Sequence, residues 1–300
     1  MERYDIAIIG TGPAGLSAAV TATIRKKKIL LIGSASSSDK VSKAHSIQNY
    51  LGLPAVSGGD LQKAFLDHIT SMDISITEDR VTLIYPMGEY FAIQAVNGSY
   101  EASSVIIASG VTNGKPYPNE EEYLGRGVSY CATCDAPLYK GASVGIVGFS
   151  PKEEAEVEFM AEYASQVTYF PMYKEEVHLP SEIRIIRETP KAILAEGFKA
   201  SGLETDQNSY AFDGVFLLRE SVSPKQLVPG LEMDGNHIKV QRDLSTNTPG
   251  CFACGDITGT PYQYIKSAGE GNVAALSAAA YLDNKRRNAN NSQEVTDHVN

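Results

Sequence analysis

No apolar run in this 300-residue chain exceeds the length of a strand: the longest occupy residues 6–9, 29–32 and 105–108, where a membrane-crossing helix needs roughly 20. A membrane partner is therefore not expected. Basic residues are in deficit too, with 26 Lys and Arg against 36 Asp and Glu and a net charge of −10. Such a field repels nucleic acid and anionic lipid at long range, so neither is an expected ligand. The chain enters a strand at Tyr4 with no secretory leader, which makes cytoplasm the expected compartment. Cysteine is scarce, and the four present form two Cys-x-x-Cys pairs, Cys131/Cys134 and Cys251/Cys254. A reducing cytoplasm does not sustain a structural disulfide framework. The pairs stand more than a hundred residues apart, from 134 to 251, against roughly 15–20 in a zinc ribbon. His45, His68, His178, His237 and His298 show no ligand spacing either, so no metal is expected.

What is present is an ordinary globular composition, 43% hydrophobic and 21% charged, over a length that suits two domains. The signals run strand, Gly-rich turn, helix, strand, twice over. The first unit passes from Tyr4 through Ile9 into Gly10, then into an apolar helix through Leu16, Ala18, Ala19 and Val20, then a strand at 29–32. The second begins at Ser143, turns at Gly148, and continues with a helix at 153–163 and a strand at 166–170. Such alternation predicts parallel sheet with crossover helices. A third turn at 250–256 leads into an Ala-rich helix over 267–282, so the second domain interrupts the first. The expected fold is α/β, with two Rossmann-like three-layer domains. Residues 1–113 and 241–300 form the first, 114–240 the inserted second, and 284–300 a polar, loosely attached tail.

Gly10-Thr11-Gly12-Pro13-Ala14-Gly15 is a Gly-x-Gly-x-x-Gly run that follows an apolar strand and opens a helix, the context a dinucleotide site requires. Gly10 permits the tight turn, Gly12 lets a pyrophosphate reach the backbone, and Gly15 lets helix pack on strand. The helix start supplies amide donors and positive potential. Gly33-Ser34 stands where a ribose-binding acid is common, so the ribose contacts differ from the usual ones. Downstream, Cys131-Ala132-Thr133-Cys134-Asp135 places two thiols within reach of one disulfide ring beside a carboxylate. Alone, this pattern is compatible with metal binding or with no function; beside a dinucleotide fold, redox chemistry is favoured.

The segment 127–135, Gly-Val-Ser-Tyr-Cys-Ala-Thr-Cys-Asp, resembles the active-site motif of low-molecular-weight thioredoxin reductases. The likeness extends in order through Gly10–Gly15, Asn49-Tyr50-Leu51-Gly52, Ala108-Ser109-Gly110, Gly255-Asp256 and Ser267-Ala268-Gly269-Glu270-Gly271. It implies FAD as cofactor, with Asp256 on the ribityl chain and Gln263, Tyr264 and Ile265 approaching the flavin ring. It also implies that Cys134 faces the flavin, Cys131 attacks the substrate disulfide, and Asp135 donates or accepts the proton. A homodimer is implied, as is rotation between domains about hinges near 113–115 and 239–242.

In one respect the chain departs from that family, whose middle domain takes NADPH on a second Gly-rich turn and a His-Arg-Arg cluster. Here the turn reads Gly148-Phe149-Ser150-Pro151-Lys152-Glu153. Ser150, Pro151 and Glu153 make a capping-box arrangement in which the helix satisfies its own amides. Glu153, Glu154, Glu156 and Glu158 add negative charge where a pyrophosphate would sit. After the strand come Pro171, Met172, Tyr173 and Lys174, with no Arg fork for a 2′-phosphate. Loss of both elements predicts pyridine-nucleotide independence. The combination resembles the ferredoxin-dependent flavin thioredoxin reductases, in which ferredoxin delivers single electrons and thioredoxin receives a pair.

Three alternatives remain open at this point: a conventional NADPH enzyme with cations from another loop, a small-molecule dithiol oxidase, and a non-catalytic flavin redox sensor. Cys251 and Cys254 read as buried small hydrophobes or as an auxiliary thiol pair. Tyr169, Phe170 and Tyr173 read as core or as a platform for a second ring. The basic run 25–28 reads as a helix end suited to cations or as a docking patch.

Overall fold

The computed structural model describes residues 3–35, 39–42, 44, 46–111, 116–120, 122–130, 132–219 and 224–297, excluding the side chains of 39, 40, 134 and 289–297. It divides into two compact units, Met1–Thr112 with Ser223–Asn300, and Asn113–Val222. The first opens with β1 (Arg3–Ile9), α1 (Pro13–Ile24), β2 (Ile29–Gly33), α2 (Asp39–Ser42), α3 (Gly58–Ser71), β3 (Ile76–Glu78), β4 (Val81–Pro86), β5 (Phe91–Ala95) and β6 (Ser99–Ile107). The second holds β7 (Val128–Ser129), α4 (Ala132–Asp135), β8 (Ser143–Gly148), α5 (Glu154–Ala161), β9 (Gln166–Pro171), β10 (Arg184–Ile185), β11 (Pro190–Glu196), β12 (Lys199–Thr205), β13 (Ser209–Ala211) and β14 (Gly214–Leu218). The chain returns to the first unit with α6 (Pro224–Leu227), β15 (Met233–Asp234), β16 (His237–Ile238), β17 (Cys251–Ala253) and α7 (Tyr264–Asp297).

The first sheet runs β3-β2-β1-β6-β5-β4, parallel from β3 to β6 and antiparallel beyond. Ile6, Ala7 and Ile8 are wholly buried, as befits a central parallel strand covered on both faces. β6 shares one edge between two partners, 99–102 with β5 and 105–107 with β17. On one face, Ala18, Ala19 and Ala22 of α1 meet Ala274, Ala275 and Ala278 of α7 in a single core. Small residues let these helices approach closely: a Cβ on Gly271 would stand 2.0 Å from the Ala14 carbonyl oxygen. In the second unit a parallel sheet, β10-β9-β8-β14-β7, accompanies an antiparallel three-stranded sheet, β11-β12-β13.

Two expectations need correction. The second domain boundary falls at 222/223 rather than 240/241. α6 packs on β4 and β16 on the turn Gly255–Thr258, and this stretch buries Leu227, Val228, Leu231 and Ile238; hydropathy alone does not say against which core. The hinge residues 113–115 lie outside the described residues. The polar tail, expected to be loosely attached, is helical as far as Asp297. Just beyond buried Leu282 its first turn makes ion pairs, Lys285 to Glu89 at 2.7 Å and Arg286 to Asp5 at 2.8 Å. The basic run at 25–28 joins the same arrangement, with Lys27 and Arg25 both on Asp283. No described helix is long and apolar enough to cross a membrane.

Gly271→Ala is expected to destabilise the protein by about 1–3 kcal/mol, because the added methyl overpacks a backbone contact. Gly269→Ala, where a Cβ meets nothing within 4 Å, leaves stability level or raises it. Urea unfolding of both variants measures the difference.

Candidate active site

β1, β2, β6 and β17 end at one edge of the first sheet, where ligands of parallel α/β folds collect. The residues expected there are brought together. Gly10 has φ +116°, and a Cβ on it would lie 2.4 Å from the Ala108 carbonyl oxygen. A Cβ on Gly15 would collide with the Gly10 carbonyl at 1.8 Å. Thr11 Oγ1 donates to the Ser34 carbonyl at 2.8 Å, tying the turn to Gly33-Ser34 at the end of β2. α1 starts at Pro13 behind Gly12, with no side-chain cap and no acid in its first turn. Its leading amides therefore face the edge without an acceptor from their own helix, an arrangement suited to a phosphate.

The opposite side of the edge is built by the turn Gly255–Thr258 and the start of α7. Ser267 Oγ donates to Asp256 Oδ1 at 3.0 Å. Gly255 (φ +85°) brings this turn onto Ala14, since a Cβ there would sit 2.8 Å from the Ala14 methyl. Glu270, given no role from the sequence beyond its place in the 267–271 segment, holds the turn: its Oε2 accepts the Gly255 amide at 2.8 Å and Thr258 Oγ1 at 2.9 Å. Lys266 pairs with Glu270 at 3.2 Å and donates to the Gly255 and Gly259 carbonyls. The Lys266/Glu270 spacing of four on a helix was the available signal. The Asn49 side-chain amide donates to Gln263, while Tyr264 and Ile265 open α7, Ile265 with 40% of its surface exposed. His237 Nε2 and the Tyr262 hydroxyl, 2.7 Å apart, brace the neighbouring segment.

FAD fits these residues on one direct observation. Ser109 Oγ is enclosed yet has no hydrogen-bond partner among the described residues, beside Gly110 at φ +70°. A buried hydroxyl without a partner costs roughly 1–3 kcal/mol, and a dinucleotide on this edge would supply one. The bare α1 amides would take the pyrophosphate and Asp256 a sugar or ribityl hydroxyl.

The redox motif lies in the second unit. Cys131 is outside the described residues; Cys134 lies on α4, its side chain likewise not described. Asp135 ends α4 and lies close enough to Tyr139 to help burial raise that phenol's pKa.

The second Gly-rich turn is closed by its own side chains. Glu153 Oε2 accepts the Phe149 amide at 2.6 Å and the Ser150 amide at 3.0 Å, and Ser150 Oγ accepts the Lys152 amide at 3.3 Å. This reciprocal capping uses the donors a pyrophosphate needs. Above the turn, a Cβ on Gly148 would stand 2.1 Å from the Tyr169 hydroxyl. The Tyr169 hydroxyl donates to that of Tyr173 at 3.2 Å, and Tyr173 donates to Glu154. Burial first, then the Glu154 bond, pushes the Tyr173 phenol up to about 12. Burial raises that of Tyr169 too. Arg187, which the sequence did not flag, reaches this region, but its guanidinium donates to the Tyr173 and Glu175 carbonyls at 3.0 Å each. Tyr169 and Phe170 are wholly buried core, so Tyr173 alone keeps exposed ring surface there.

Cys251 and Cys254 are free and fully buried. Cys254 continues β17 in extended conformation, so the two residues, three apart, face opposite sides of the sheet with Cα atoms about 10 Å apart. A disulfide needs less than about 7 Å. Burial raises both thiols, Cys251 to about 12. They pack as small hydrophobes rather than as a thiol pair.

A family model for pyridine nucleotide-disulphide oxidoreductases matches residues 4–271. The ferredoxin-flavin thioredoxin reductase of Clostridium acetobutylicum shares 52% identity with this chain, over 95% of it and 99% of that protein, with a TM-score of 0.88. A thioredoxin reductase of Gloeobacter violaceus is 26% identical, over 94% of this chain and 95% of that one, with a TM-score of 0.79. The thioredoxin reductase of Treponema pallidum is 30% identical over 93% of this chain and 97% of its own length.

Ser109→Ala should leave the stability of flavin-free protein level or higher while weakening FAD roughly tenfold, the worth of one hydrogen bond. Flavin titration and thermal unfolding of the same samples separate the two effects; unchanged affinity would remove Ser109 from the site.

Proposed function

The chain belongs to the pyridine nucleotide-disulphide oxidoreductase family, and on that premise we propose that it reduces thioredoxin with electrons from ferredoxin, through FAD and the Cys131/Cys134 dithiol. The observation that carries the donor assignment is the second turn, whose amides are spent on Glu153 and whose space is taken by Tyr169. NADPH would have to displace a buried carboxylate and a core tyrosine. The 52% identity to a ferredoxin-flavin thioredoxin reductase supports the same reading. Bound FAD supplies the step between single electrons and an electron pair. The protein's own groups then act on the disulfide. Cys131 attacks a thioredoxin sulfur, forming a mixed disulfide as the substrate S–S bond breaks. Cys134 attacks Cys131, releasing thioredoxin as a dithiol, with Asp135 carrying the proton. The two units turn relative to each other between these stages.

A face near α4 suits a protein substrate. A groove of about 610 Å³ is lined by Leu138, Phe198, Arg126, Lys140 and Lys199, among others. Leu138 is 79% and Phe198 87% exposed, an apolar pair amid cations on an otherwise acidic chain. Leu138 follows Cys134 by four residues, so thioredoxin docks here. The reaction takes place in the cytoplasm, where Cys251 and Cys254 stay reduced, and the working form is a homodimer.

Under anaerobic conditions, photoreduced ferredoxin should bleach the flavin and NADPH and NADH should not. Rapid bleaching by NADPH would overturn the donor assignment; fast oxygen consumption with a small dithiol would favour an oxidase instead. Cys131→Ser should keep its flavin and lose thioredoxin reduction by about a thousandfold or more. Leu138→Asp should raise KM for thioredoxin about tenfold while reduction of a small aromatic disulfide is unchanged; equal loss on both substrates would move the docking face elsewhere.

A further inference from the structure

Two stretches of the first unit carry no Asp, Glu, Lys or Arg, residues 46–59 and 257–265, and the fold sets them side by side. The Asn49 side-chain amide donates to Gln263, and Tyr50 and Tyr264 pack in one small core with Ile47, Leu61 and Phe65. A bridge between Ile47 and Val56 closes the base of the first loop, the Ile47 amide donating to the Val56 carbonyl at 2.8 Å. The tip of that loop faces solvent. The Leu53 amide donates to the Tyr50 carbonyl at 3.0 Å, Gly52 takes φ +92°, and residues 51–55 are all exposed, Leu51 by 91%. Beside it Pro261, Tyr262 and Ile265 are exposed as well, and the Tyr262 hydroxyl lies 2.7 Å from His237 Nε2. Leu51, Leu53, Pro54, Pro261, Tyr262 and Ile265 thus gather apolar surface outward on an anchored frame, the mark of an interaction site. Of the described charged residues that flank the two stretches, Asp60 accepts from Ser57, Asp256 accepts from Ser267, and Lys266 pairs with Glu270.

We propose that this uncharged patch is where the one-electron donor, a ferredoxin, docks. The proposal rests on the ferredoxin reading above and on FAD at this strand edge, with Gln263 to Ile265 toward its ring; what it adds is the surface. A donor passes an electron to the flavin only when its cluster comes close to the ring, and the patch surrounds the ring-facing segment. Charge fits the same assignment. A chain of net charge −10 repels an acidic donor at long range. Contact through uncharged residues avoids like-charge juxtaposition at short range, where it costs most. The cationic groove of Arg126, Lys140 and Lys199 belongs to the other unit, whose Gly-rich turn is closed. In each encounter the donor is oxidised by one electron and the enzyme reduced by one. Two encounters supply the pair that reduces one disulfide, with two protons taken from solvent.

The test uses the flavin-loaded, full-length enzyme. Affinity for oxidised ferredoxin is read by interferometry, and the rate of flavin bleaching by reduced ferredoxin by stopped flow. Leu51→Asp should weaken binding about tenfold or more and slow bleaching in proportion; Leu51→Gln, which adds no charge, should weaken it several-fold. Met87→Asp puts the same charge on another exposed apolar residue, near Glu89 and its partner Lys285, far along α7 from Ile265. It should leave binding in place. Flavin content and bleaching by dithionite should match wild type in all three, which shows that they fold. Raising the salt should leave wild-type binding level or tighten it. Unchanged affinity in both Leu51 variants overturns the proposal. So does a loss in Lys140→Glu with a steep fall of affinity in salt, which would put the donor on the cationic groove. A wild-type dimer that Leu51→Asp turns into a monomer also overturns it, giving the patch to a second copy. Failure of the ferredoxin reading looks different: reduced ferredoxin would then bleach neither wild type nor any variant, while dithionite bleaches all.

Discussion

The first amides of a helix that follows a Gly-rich turn have no partner within the helix and must find an acceptor somewhere. Both units of this protein meet that requirement, and they meet it in opposite ways. At α1 the chain offers no capping side chain and no acid in the first turn, an arrangement suited to an acceptor from outside such as a phosphate. At the helix start Pro151–Glu153, Glu153 turns back onto the Phe149 and Ser150 amides. The two turns follow the same kind of parallel strand, one left open and the other closed by Glu153 and Tyr169.

Assembly of the open site depends on how closely backbones approach. Gly10, Gly15 and Gly271 each stand where a Cβ would overlap a carbonyl oxygen, and the alanines of α1 and α7 extend that contact along both helices. In this way residues 255–267, late in the chain, come to lie beside residues 10–15. Glu270 then fixes the Gly255 turn so that Asp256 is presented at the strand edge. Ion pairs at Asp283, Lys285 and Arg286 carry α7 past the end of its apolar core.

The acidic stretch that begins at Glu153 shows how one charge type does different work within a single turn of chain. Glu153 closes the amides, Glu154 anchors Tyr173 and the loop at His178, and Glu156 reaches the redox helix. In a nucleotide-binding domain these positions face phosphate and acids are unfavourable there. Here they serve packing instead, each holding a backbone amide.

Much of this was legible in the sequence, because strand–turn–helix order, the Gly10–Gly15 run and the Cys131–Asp135 segment are local patterns whose chemistry depends on near neighbours. The capping of the second turn was legible for the same reason: Ser150, Pro151 and Glu153 interact within one turn of chain. What the sequence left undetermined required distant residues to meet. The span 223–240 could bury its apolar residues against either core, and only packing against β4 and the Gly255 turn assigns it to the first unit. The tail has no apolar period to announce a helix, and its first partners, Asp5 and Glu89, lie far back in the chain. Cys251 and Cys254 have the spacing of a redox pair, but an extended strand turns them to opposite faces. Glu156 reads in the sequence only as a charge against a pyrophosphate; folding sets α5 against α4, where it accepts the Ala132 amide. Local hydrogen bonding decided which turn is left open and which is closed; tertiary packing decided what stands beside each, because it alone brings together groups far apart in the chain.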